Sequence, residues 1–115
     1  VNFGTVESMG IILYCAGDRR LTASRSRFII HRLAWRANGV YTEDRLREYL
    51  RGLQVDHANA AQIIVERCGL PLERVTRMLA EGTVLNATEA KEISLTQEVT
   101  DDFVEQGAHV VAVPV

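Results

Sequence analysis

Between Thr42 and Gly69 the sequence carries a stripe that a long helix satisfies. Leu46, Leu50, Leu53, His57, Ala60 and Ile64 recur in alternating steps of four and three, which puts them on one helical face. Thr42 is a natural N-cap, and Glu43 and Asp44 fall in the first turn, where the helix dipole favours acids. Gly69, directly after Cys68, suits the C′ position that ends a helix. A helix of about 26 residues is roughly 39 Å long. That exceeds what the core of a small domain needs, and a helix that overhangs its own core ordinarily packs against another subunit.

The elements around it read as α/β. Val1–Phe3 reads as a strand end broken by Gly4. From Ser8 to Ala16 the chain is apolar all round, the mark of a buried helix, and Gly17-Asp18 ends it. Arg20–Thr22 reads as a short strand and Ser24–Ser26 as a turn. Arg27–His31 reads as a strand apolar enough to be central in a sheet. Leu33–Val40 is an irregular connection. Pro71 opens a helix to about Ala80 with Leu72, Val75, Met78 and Leu79 on one face, and Gly82 stops it. Asn86 and Glu89 form a capping-box pair for a short helix ending near Ile93. Glu98-Val99 and 109–113 read as strand pieces.

At 115 residues and 47% hydrophobic content the chain suits one domain. Its segments are 1–40, a Ser8 helix and His31 strand; 41–70, the long helix; and 71–115, shorter helices and a tail. The chain opens on Val1 rather than methionine, which reads as a fragment or a processed product. No stretch approaches the roughly 20 apolar residues of a membrane helix, and no secretory leader is visible. Cys15 and Cys68 lack metal-ligand spacing and read as buried free thiols, which favours a reducing cytoplasm. Residues 1–55 hold nine arginines against five acids, while residues 56–115 hold three arginines and one lysine against ten acids. The arginines at 19, 20, 25, 27, 32 and 36 have few aromatics among them, so they read as a solvated or subunit-facing edge rather than a nucleic-acid site.

Chemistry concentrates at Ser8. A serine between a strand turn and a buried helix is either an ordinary N-cap or a nucleophile. In the second case the free N–H of Met9 faces the oxyanion formed at an acyl carbon, and Gly10 allows close approach. Such a serine needs a base, and His31 ends an apolar strand 23 residues further on. His57 falls on the long-helix stripe as a packing residue, and His109 lies in the tail. The dispersed histidines offer no metal site, and no phosphate-binding glycine loop is present.

Taken together, these segments resemble the proteolytic subunit of ATP-dependent Clp protease. Gly4-Thr5-Val6-Glu7-Ser8-Met9-Gly10 is similar to that family's Gly-x-x-x-Ser-Met-Gly. Ala16–Arg20 followed by Ser26-Arg27-Phe28-Ile29-Ile30-His31 resembles its Ala-Gly…Asn-Ser-Arg-x-x-Ile-His stretch. Glu66–Leu70 and Leu85–Ala90 resemble the end of its handle helix and its Leu-Ser/Thr-Ala-x-Glu-Ala segment. The resemblance implies an α/β fold of the Clp-protease/crotonase type, incomplete here as a divergent C-terminal half, with the long helix as the handle through which two rings interlock. It implies a serine endopeptidase with Ser8 and His31 as catalytic residues and Met9 N–H as oxyanion donor. Unfolded polypeptide would be cut inside a ring-shaped oligomer, fed by a separate unfoldase that uses the ATP. No cofactor or metal is expected, and neither nucleic acid nor membrane is a partner.

Departures from the pattern are specific. Gly82 stands where the family has its triad aspartate, with Glu81 one residue out of place as a candidate to orient His31. Arg32-Leu33 replaces the Gln-Pro that follows the family's histidine, and the segment supplying a second oxyanion donor has no counterpart here. Two other readings follow: a non-catalytic subunit kept for assembly, and a crotonase-like enzyme acting on acyl-thioesters.

Overall fold

The computed structural model describes residues 1–103 and 111–113. Its elements, in order, are β1 Thr5–Glu7, α1 Met9–Cys15, β2 Leu21–Thr22, β3 Arg27–Ile30, α2 Glu43–Cys68, α3 Leu72–Glu81, β4 Thr83–Asn86, α4 Ala87–Glu92 and β5 Glu98–Val99. A three-stranded sheet runs β1-β3-β4, with β1 parallel and β4 antiparallel to β3. β2 and β5 form a second, parallel pair. Of the expected strand piece at 109–113, residues 109 and 110 lie outside the described residues, and 111–113 form no strand.

The first strand starts after Gly4, not before it. Asn2 is buried and its side chain takes the Gly4 N–H at 2.9 Å while donating to Arg27 O at 3.0 Å. Its carbonyl accepts from Ala23 N–H and from the Ser26 hydroxyl. Asn2 therefore ties the start of the chain to the β2–β3 turn, and the polypeptide becomes a strand only beyond it.

β3 is central because every second side chain is apolar and large. Phe28 and Ile30 are fully buried and meet Ile11 and Cys15 of α1, Ile64 of α2 and Val75 of α3. α1 is less interior than its composition suggests: Ile11 and Cys15 face the core, whereas Leu13 is 75% exposed. α2 has the expected ends. Thr42 Oγ1 accepts from Arg45 N–H, and Gly69 closes the helix at φ 68. Burial along it is uneven. Ile64 is 1% exposed, whereas Leu46 and Leu50 of the same stripe are 54% and 56% exposed. The outer part is braced by the loop before it: Trp35 packs edge-on against Tyr49, and a Cβ on Gly52 would stand 2.6 Å from the Trp35 ring. Any other residue at 52 would push the Trp35 ring aside, so glycine accommodates the close approach at a cost of about 1 kcal/mol in a helix interior.

The sheet and four helices enclose one continuous apolar cluster, and among the described residues no buried side-chain nitrogen or oxygen lacks a hydrogen-bond partner. Arg20, counted above with a solvated edge, is another correction. It is 5% exposed, and its guanidinium donates to the carbonyls of Leu95, Gly17 and Ser94.

Both cysteines are free, Cys15 buried and Cys68 partly so. Burial pushes the Cys15 thiol up and carries Cys68 to about 11. Each thiol is thus held neutral by the fold, while in the unfolded chain it ionises near its ordinary value of about 8.5. The stability this represents is whole below that value and is lost as pH rises towards 11. Chemical unfolding between pH 7 and 11 should show a decline that Cys68→Ala reduces. An unchanged slope in that variant would refute the assignment.

Candidate active site

Because β1 and β3 are parallel, their C-terminal ends lie on one edge of the sheet. Ser8 follows Glu7, the last residue of β1, and His31 follows Ile30, the last residue of β3. The register Glu7↔Ile29 and a bond from Ser8 N–H to Ile29 O at 3.4 Å bring the two strand ends together. Ser8 and His31 line one narrow cleft, walled by Ile11, Ile30, Leu33 and Ile64. Its volume is about 10 Å³, close to the least that one water needs.

Ser8 occupies φ 55, ψ −125. A non-glycine residue there costs about 1–3 kcal/mol and persists only where its neighbours are held on both sides. Here β1 precedes it and α1 follows without a linker. Its side chain makes no capping hydrogen bond, so the hydroxyl is not consumed by the helix. Met9 N–H belongs to the first turn, where backbone donors have no partner within the helix. Gly10 packs closely: a Cβ there would stand 3.4 Å from Val6 Cγ1.

His31 turns one nitrogen back on its own chain. Nδ1 lies 2.7 Å from Arg32 O, and a carbonyl only accepts, so Nδ1 carries the proton of that bond; in the neutral ring this leaves the lone pair on Nε2. Among the described residues no hydrogen bond joins His31 to Ser8. Glu81 is exposed at the end of α3 and makes no bond to His31. The antiparallel register pairs Ile30 with Thr83, so one step on His31 falls opposite Gly82. Gly82 sits at φ 72, and a Cβ there would meet nothing within 4 Å. The acid position thus faces the histidine, and glycine leaves it open.

Sequence reasoning missed the contact between His57 and Leu33. Leu33 N–H donates to His57 Nε2 at 2.8 Å, tying the residues after His31 to α2. Helical spacing put His57 on the correct face, but nothing in the stripe signals a polar partner 24 residues back. An apolar groove of about 270 Å³ between Trp35, Tyr41, Tyr49 and Leu50 lies apart from this chemistry.

A family model for Clp protease matches residues 1–103. The chain belongs to the Clp protease family. Within it the protein is a proteolytic subunit, a serine peptidase. The match corrects the expectation of a C-terminal half alone: it takes in nearly all of the 115 residues, and the fold is likewise that of the family across this span rather than a remnant. Peptidases of this family use no metal or small-molecule cofactor, and among the described residues no cluster of three or more His, Cys, Asp or Glu could hold a metal ion. Members typically self-associate and act with an unfoldase ATPase. No helix among the described residues is long and apolar enough to cross a membrane.

Proposed function

We propose that Ser8 is the nucleophile and His31 the general base of this peptidase. The observation that carries it is the meeting of both residues in one cleft at the C-terminal ends of adjacent parallel strands. Nε2 of His31 takes the Ser8 proton as Oγ adds to the scissile carbonyl. The resulting oxyanion meets Met9 N–H, and the proton then passes to the leaving amine. Water, deprotonated by the same imidazole, releases the acyl group and restores the serine. Glu81 has no part in this assignment, since it is exposed and unbonded to His31.

The exposed Leu46 and Leu50 on the outer part of α2 support self-association through that helix, as the handle of a ring assembly. Unfolded polypeptide is the substrate in this reading, delivered by a separate unfoldase, and two free thiols favour a cytoplasmic setting. A fluorophosphonate probe tests the nucleophile. Wild type should be labelled covalently at Ser8, and Ser8→Ala should not be labelled at all. A folded, assembled wild type that stays unlabelled would overturn the reading and assign the chain an assembly role.

A further inference from the structure

One peptide group is hydrogen-bonded at both ends by imidazoles. The carbonyl of the Arg32–Leu33 peptide accepts from His31 Nδ1 at 2.7 Å, and its N–H donates to His57 Nε2 at 2.8 Å. An amide N–H only donates, so His57 must present a bare Nε2 and carry its own proton on Nδ1. We propose that His57 is a positioning residue for His31, acting through this peptide; the proposal rests on the reading of His31 as the base.

Two physical effects run in the same direction. Accepting the Leu33 N–H polarises the amide and places more electron density on Arg32 O, which strengthens the bond to His31 Nδ1–H. Anchoring the peptide plane to α2 also fixes where that oxygen points, because Leu33 is buried and His57 sits on a continuous helix. Together they hold His31 in the tautomer whose Nε2 can receive a proton. That is the orienting task a carboxylate would perform from position 82, where this chain has glycine. The departures at positions 33 and 82 then belong together. The proline expected at 33 by resemblance has no N–H to give, whereas Leu33 has one and uses it. A neutral peptide orients the ring but supplies no negative charge to the imidazolium.

The same His57 nitrogen lies 3.1 Å from Leu33 O. Protonated there, it would donate to that oxygen and leave Leu33 N–H without its acceptor. The two arrangements exclude each other, and the shorter contact selects the first.

Two-bond ¹⁵N–¹H correlation spectra of the full chain at pH 8 read both tautomers directly. Wild type should show His31 and His57 each protonated on Nδ1. His57→Leu keeps the bulk and removes the acceptor, so His31 should become a mixture of tautomers. Labelling by the fluorophosphonate should fall about tenfold, and His57→Gln, whose amide oxygen reaches the same N–H, should return it to within about threefold of wild type. A His57 proton on Nε2 in wild type would overturn the proposal even if no variant folds. So would an unchanged His31 tautomer and labelling rate in His57→Leu. His31→Ala separates the two layers. If it labels at the wild-type rate, the base assignment fails; if it is silent while His57→Leu is unaffected, only the role of His57 fails.

Discussion

Replacing His31 with alanine should lower kcat/KM on a short fluorogenic peptide by about 10⁴-fold or more. The serine hydroxyl ionises far above neutral pH, so without a base the attacking alkoxide is scarce. Ser8→Ala should be at least as damaging, and the double variant no worse than Ser8→Ala alone, because nucleophile and base act as one unit. Multiplying losses in the double variant would mean that two independent pathways exist. A loss under about tenfold for His31→Ala would remove it from the pair, since a positioned general base contributes about 10²-fold or more. Melting curves should be unaltered for both, as neither side chain belongs to the buried core.

Arg20→Met should be the most destabilising single change of charge in the chain. The arginine is almost wholly buried, and its guanidinium satisfies three carbonyls, those of Gly17, Ser94 and Leu95. Methionine fills much of the space but donates nothing. Each carbonyl left without a partner costs about 1–3 kcal/mol; with two of the three bonds only partly buried, a loss near the lower bound, about 3 kcal/mol or somewhat more, is expected from urea unfolding. Arg47 makes an instructive contrast. It pairs with Glu43 one helical turn away, with both side chains exposed, and such pairs contribute about 0.3–0.5 kcal/mol. Arg47→Met should therefore leave the unfolding midpoint almost unmoved. If Arg20→Met were equally silent, the three carbonyls would have to find other hydrogen-bond donors.

Those two arginines illustrate what the sequence disclosed. Periodicity and capping are local, and they placed α2 from Thr42 to Gly69 and the Asn86–Glu89 capping box as the structure has them. The apolar run Arg27–Ile30 was legible as a central strand from its three consecutive apolar residues, and β1 and β4 pair along its two edges. β4 was not. Only Leu85 of its four residues is buried, so Thr83–Asn86 has no alternation to recognise and is recruited by pairing with β3. The all-apolar α1 suggested burial on every side, yet Leu13 points outward. Arg20 looked like any other member of an arginine-rich stretch, because two of its three carbonyl partners, Ser94 and Leu95, lie 74 and 75 residues away. The same limit hid His57. Ser8 and His31 could be singled out as a pair from the order of the segments, but the parallel register that puts their strand ends on one edge is a tertiary fact.

The uneven burial along α2 turns one continuous helix into two energetic objects. Around Ala60, Ala61 and Ile64 the backbone is locked into the core, so amide protons there exchange with solvent only when the whole fold opens. Around Leu46 and Leu50 the packing is one-sided, and amides exchange through fraying that leaves the rest intact. The boundary falls just before Ala60, the first buried residue of the helix. Covering Leu46 and Leu50 in an assembly merges the two regimes, so the protection of a single turn of helix becomes a gauge of whether the subunit is alone.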